Sequence, residues 1–149
     1  MPIHIEHSKV EPQAYKTLMG VAEYVGAAEF DKTLRHLIDM RASQINGCSF
    51  CLDMHIREAR HNGEIDQRIF LLPTWRETPL FTPAERAVLA LTEHVTRISD
   101  HGVPDKLEAE LKSHFSDKQI VQLLMAIIHI NAWNRLAIST GMQPVARKG

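Results

Sequence analysis

The sequence predicts an all-α protein, a single-domain helical bundle of about six to seven helices around one long buried C-terminal helix. Three observations carry that reading. Apolar residues recur at three- and four-residue spacing in nearly every segment, and no long run alternates apolar with polar residues. Proline, glycine and capping residues fall between the periodic segments. The 149 residues are also the length of one domain, 1–149. Such a domain buries roughly 68–70% of its unfolded surface and holds a core without a disulfide or metal staple.

The elements follow in order. A first helix starts near Glu11-Pro12, where a proline's missing N–H does no harm, and carries Leu18, Val21, Ala22 and Val25 on one face. Asp31 is placed to cap a second helix bearing Leu34, Leu37, Ile38 and Ile45, which Asn46-Gly47 ends. A third begins at about Cys48 and closes at His61-Asn62-Gly63. A shorter one spans about Ile65 to Leu72 and stops at Pro73. Thr82-Pro83-Ala84-Glu85 joins a cap, a proline at the first helical position and a capping-box glutamate, opening a helix through Ala87, Leu91 and Val95. Pro104 starts a short helix with Leu107 and Leu111. Ser116-Asp117-Lys118-Gln119 is a second capping box, opening the long helix toward Gly141. Within that helix Ile120 to Ile130 is apolar, but Gln122 and His129 interrupt it and Asn131, Asn134 and Arg135 follow. A membrane span needs ~20 mostly apolar residues, so the segment reads as a core helix and no membrane partner is expected.

Composition narrows the function classes. At 44% hydrophobic and 23% charged the chain is not disordered. Seventeen Lys+Arg against 18 Asp+Glu leave a net charge of −1, which offers nothing to nucleic acid or an anionic membrane. Met1-Pro2-Ile3-His4-Ile5-Glu6-His7 has neither a basic stretch nor an apolar one, so no signal peptide is expected. The expected setting is a reducing cytoplasm, where a close cysteine pair is catalytic or metal-binding more often than structural.

The chemistry concentrates in Ser43-Gln44-Ile45-Asn46-Gly47-Cys48-Ser49-Phe50-Cys51-Leu52-Asp53-Met54-His55. Both cysteines of the chain lie here, and on a helix positions 48, 51 and 55 share one stripe. Free N–H groups of a first helical turn favour a thiolate, and a histidine one turn away can accept the proton. An ordinary thiol is only about 3% ionised at pH 7, so this assistance matters. Helix position favours Cys48 as the thiolate, whereas the four-residue spacing to His55 favours Cys51. Weighting the base, Cys51 is expected to attack first, to titrate at least about one pH unit below the usual 8.5, and to be resolved by Cys48. Two other readings compete. The cysteines could be small buried hydrophobes. A zinc site could also form, with Cys48, Cys51 and His55 as three ligands and another histidine as the fourth. Covalent haem is excluded because Leu52, not histidine, follows Cys51. No cofactor or metal is assigned. His36 shares a stripe with Met40, Ser43 and Gly47 and could point at the site. Trp75-Arg76-Glu77-Thr78 and Trp133-Asn134-Arg135 read as packing and subunit contacts.

Taken together, Arg41 through Cys48, Cys51, Met54-His55, Glu58-Ala59-Arg60 and Gly63-Glu64 closely resemble the alkyl hydroperoxidase D-like branch of the carboxymuconolactone decarboxylase family. Trp75-Arg76-Glu77-Thr78, Thr82 with Glu85-Arg86-Ala87, and Asn131 with Trp133-Asn134-Arg135 extend the likeness from about Asp31 to Arg135. The resemblance implies an all-helical subunit forming trimers or hexamers, and a thiol-dependent peroxidase or disulfide reductase. It makes Cys51 the peroxide-attacking cysteine, Cys48 the resolving one and His55 the relay histidine. His36 stands where the family usually has a glutamate, and Phe50 where well-studied members have a histidine. The expected partners are a small hydroperoxide and a thiol reductant protein or small dithiol. The alternatives are a non-catalytic metal-binding or oligomeric scaffold, and a lactone-acid decarboxylase. The latter members do not rely on a CxxC pair.

Overall fold

The computed structural model describes residues 2–147. Among these the chain forms α1 (His7–Val10), α2 (Pro12–Gly26), α3 (Lys32–Asn46), α4 (Ser49–His61), α5 (Asp66–Leu71), a 3-10 segment (Leu72–Glu77), α6 (Pro83–Thr96), α7 (Asp105–Lys112) and α8 (Asp117–Ser139), with no strand. All seven expected helices are present. The eighth, α1, is a single turn, too short to leave a periodic signature. Pro73 does not end the helical path as expected. It occupies the first turn of the 3-10 segment, where no N–H is required of it, and the chain coils on to Glu77.

Capping sets where the elements begin. Glu11 Oε1 accepts from Gln13 N at 3.2 Å and Asp31 Oδ1 from Thr33 N at 2.7 Å. Both capping boxes form, Thr82 with Glu85 and Ser116 with Gln119. At the end of α3, Gly47 takes φ 71° while its N–H bonds Gln44 O at 3.3 Å and Cys48 N–H bonds Ser43 O at 3.0 Å. That left-handed turn reverses the chain so that α4 starts at once against α3. The long helix ends at Ser139, two residues short of Gly141, which takes φ 73° just beyond it.

Helix α3 is the hub, packed against α4, α6 and α8. One side of it, through Ile38 and Ala42, joins Leu91, Leu123, Ile127 and Ile130 in a core that also holds Cys48 and Cys51. The other, through Leu37 and Met40, packs with Leu72, Trp75 and Leu89. Glu93 of α6 ties this second core to the 3-10 segment, accepting from Trp75 Nε1 at 2.9 Å, Arg76 Nη1 at 2.6 Å and Arg41 Nε at 3.0 Å. The Trp75-Arg76 motif is thus a packing element.

Helix α8, 23 residues long, is long and apolar enough to cross a membrane by length and composition alone. Its inward face nevertheless buries Gln122, His129, Asn131 and Asn134, and each has a hydrogen-bond partner within the subunit. That polar lining suits a core helix and is costly against lipid.

Candidate active site

Local structure brings the two sulfurs together. Because the Gly47 turn hands the chain directly from α3 to α4, Cys48 both donates its N–H to Ser43 O at the end of α3 and is the N-cap of α4. Its Sγ accepts from Cys51 N at 3.4 Å, taking a place usually held by a serine or aspartate oxygen. Both cysteines are free thiols, each 2% exposed. The capping bond seats both cysteines in the first turn of α4, three residues apart, the spacing of a CxxC pair.

The lowered thiol is not the one the sequence reading named. Cys48, not Cys51, is the thiol held well below its ordinary range. The neighbouring Cys51 thiol favours its ionised form most, the Cys51 backbone N–H at 3.4 Å, the Asn134 amide and the His55 charge add to this, and together they outweigh burial. The same Cys48 sulfur and burial push the Cys51 thiol up. The neighbouring Cys51 thiol, joined by the first-turn N–H, therefore outweighs the four-residue spacing between Cys51 and His55.

His55, 6% exposed, turns Nδ1 to two carboxylates, Glu58 Oε2 at 2.9 Å and Asp39 Oδ2 at 3.5 Å. Nδ1 carries the proton in that arrangement, leaving Nε2 to exchange one with thiol or substrate. Burial opposes protonation of His55, but the two carboxylates outweigh it and the net direction is upward. Asp39 is fully buried on α3, and desolvation raises its carboxyl from 3.8 to about 6 despite His55 and Arg35. Arg35 Nε lies 3.7 Å from Asp39 Oδ2. Glu58 moves the other way, lowered chiefly by its bond to His55.

His36 lies beside this cluster but does not join it by a hydrogen bond. Its Nε2 accepts from Asn62 Nδ2 at 3.1 Å, burial lowers its pKa, and it senses Glu58 and His55 through charge alone. The position the resemblance reserved for a relay carboxylate is thus filled by a ring facing the end of α4. Asp39, one helical turn on, presents a carboxylate to His55 in its place. Phe50 packs against the core that encloses both cysteines.

Sequence reasoning missed Asp39, Glu58 as a partner of His55, and a polar floor made by Ser43, Asn46, Asn131 and Asn134. Asp39 had a legible signal, since it is an acid inside the apolar run Leu37-Ile38-Asp39-Met40. The floor had none, because its members come from two helices about 90 residues apart in sequence. His129 of α8 is buried, accepts from Trp133 Nε1 at 2.7 Å and is lowered to about 4 by burial. Trp133 therefore serves internal packing. Among the described residues, no three His, Cys, Asp or Glu side chains converge as a metal-binding group.

Comparison with known proteins agrees with this architecture. The model of the carboxymuconolactone decarboxylase family matches residues 12–94. An uncharacterized protein, YdfG of Bacillus subtilis, is 37% identical over 99% of this chain and 100% of its own length. YnjA of Escherichia coli, also uncharacterized, is 32% identical over 72% of this chain and 61% of its own. Among solved structures, a protein of unknown function from Agrobacterium tumefaciens, described as a candidate antioxidant defence protein AhpD, superimposes with a TM-score of 0.92. It shares 43% identity over 96% of this chain and 99% of its own. An uncharacterized peroxidase-related protein with an alkylhydroperoxidase AhpD core, from Ralstonia eutropha, is similar in fold alone (TM-score 0.81, 19% identity, 93% of this chain, 74% of its own). On the matched segment and the full-length relative, this chain belongs to the carboxymuconolactone decarboxylase family.

Proposed function

We propose that the chain is a dithiol–disulfide oxidoreductase that reduces small hydroperoxides. A thiolate sulfur attacks one peroxide oxygen and the O–O bond breaks. The other oxygen leaves as an alcohol or water after taking a proton, and the attacking cysteine becomes a sulfenic acid. The second thiol then attacks that sulfur, an S–S bond forms and water leaves. A thiol reductant protein or small dithiol returns the disulfide to two thiols. His55, with Nδ1 held by Asp39 and Glu58, handles the proton at Nε2. The observation that carries the reading is the pair of buried thiols in the first turn of α4, with the Cys48 sulfur capping the Cys51 N–H and its thiol held low.

Cys51 is the proposed attacking cysteine and Cys48 the resolving one, on the family resemblance. The reverse order is the second reading, favoured by the lowered Cys48 thiol and its place as the cap of α4. Single replacements separate them. If Cys51 attacks, Cys48→Ser protein treated with one equivalent of hydroperoxide accumulates a sulfenic acid trappable by a dimedone-type reagent, and Cys51→Ser protein consumes no peroxide. Trapping only in the Cys51→Ser protein reverses the roles. Full peroxide consumption without either cysteine removes the mechanism altogether.

A further inference from the structure

The polar floor beneath the cysteines has a direction, and that direction follows from two groups that cannot reverse. Arg135 Nη1 donates to Asn131 Oδ1 at 2.8 Å, and a guanidinium can only donate. Asn131 Nδ2 donates to the Ile127 carbonyl at 2.9 Å, and a carbonyl can only accept. Asn131 is therefore pinned at both ends, with Oδ1 turned to Asn46. Asn46 must answer with its amide nitrogen, at 3.0 Å, and the same nitrogen lies 2.9 Å from Asn134 Oδ1. That leaves Asn134 with its own nitrogen on the far side. One N–H reaches Ser43 Oγ at 3.0 Å. Ser43 O in turn receives the Cys48 N–H, and Ala137, one turn beyond Asn134, packs in the core that encloses both sulfurs. Asn134 is completely buried, so its second N–H has no water to meet.

We infer that Asn134 is a working member of the thiol site: it donates its second side-chain N–H to whichever cysteine sulfur carries negative charge, and the Arg135–Asn131–Asn46 chain aims it there. The inference rests on the dithiol reading above and adds to it a donor other than the helix N-terminus and the histidine. An amide serving packing alone could face either way at equal cost. Here the reversed amide would aim its oxygen lone pairs at a thiolate and break the bond with Asn46. The Asn134 amide lowers both thiols, in keeping with a donor shared by the pair.

Thiol titration tests this without peroxide turnover. The reduced full-length chain and its Asn134→Ala and Asn46→Ala variants are alkylated with iodoacetamide across roughly pH 4 to pH 10, each cysteine being read by peptide mass spectrometry. Thiolate absorbance near 240 nm and far-ultraviolet circular dichroism are followed alongside. Asn134→Ala is expected to move the thiolate titration up by about one pH unit, slowing alkylation about tenfold below the midpoint. Asn46→Ala keeps Asn134 but leaves it unpinned, and is expected to slow alkylation about threefold in the same direction. A folded Asn134→Ala protein that titrates like the native chain overturns the inference. So does an Asn46→Ala protein whose curve overlays the native one, which decides the matter even if Asn134→Ala does not fold. Shifted titrations in a chain that leaves peroxide untouched would remove the proposed activity and keep the role of Asn134.

Discussion

His55 sits between two carboxylates of opposite character, and that contrast decides how the site responds to pH. Glu58 is half exposed and ionises readily, whereas Asp39 is buried and holds its proton to about 6. An acid whose folded value is raised binds a proton in the folded state that the unfolded chain has already lost. Stability therefore falls as pH rises from 3.8 toward 6. His55, raised by the same carboxylates, acts in the same sense. Its contribution is complete below its unfolded value of 6.5 and is lost as pH climbs through the higher folded one. Carrying a carboxyl from 3.8 to about 6 weakens the fold by roughly 3 kcal/mol once pH exceeds both values. Asp39→Asn removes the first dependence and weakens the second, which Glu58 still sustains, so urea unfolding is expected to show the variant gaining on the native chain between pH 4 and pH 7. A constant difference across that range would contradict the burial argument. The same replacement frees His55 from one anchor, and peroxide reduction is expected to drop about tenfold or more.

The junction between α3 and α4 is where element geometry becomes site geometry. Gly47 is the residue that lets one helix end and the next begin without a linker, and its φ of 71° belongs to glycine. A Cβ added there meets nothing within 4 Å. Gly47→Ala is thus expected to cost only the backbone strain, about 1 kcal/mol of stability in denaturant unfolding. Because Cys48 follows directly, the variant is also expected to slow Cys48–Cys51 disulfide formation. Unchanged oxidation kinetics would show that the cap tolerates a different turn. This junction was legible in advance, since Asn-Gly followed by two cysteines at helix-start spacing points to it. The 3-10 coil past Pro73 was not, because a proline's local effect is the same whether a helix stops there or tightens.

At the scale of the molecule, the outer face of α8 is unusual. Val121 and Ile128, two turns apart, remain 53% and 50% exposed on a helix whose other face lies in the core. We propose that this edge helps to build a homo-oligomer, a trimer or hexamer as the family resemblance implies. Light scattering on the purified chain is expected to give three or six times the subunit mass of 16.9 kDa, and Ile128→Glu to shift it to smaller, still helical species. A monodisperse native monomer would exclude the proposal.

The all-helical class, the seven principal helices and the CxxC–histidine stripe were readable from residue order, because caps, periodicity and helix spacing act over a few residues. Tertiary structure decided how the site is charged. Which thiol is held low, which carboxylates grip His55, and which way Asn134 faces all depend on α3, α4 and α8 meeting across about 90 residues of sequence. Burial, the force that raises Asp39 and silences His129, exists only once those helices have packed.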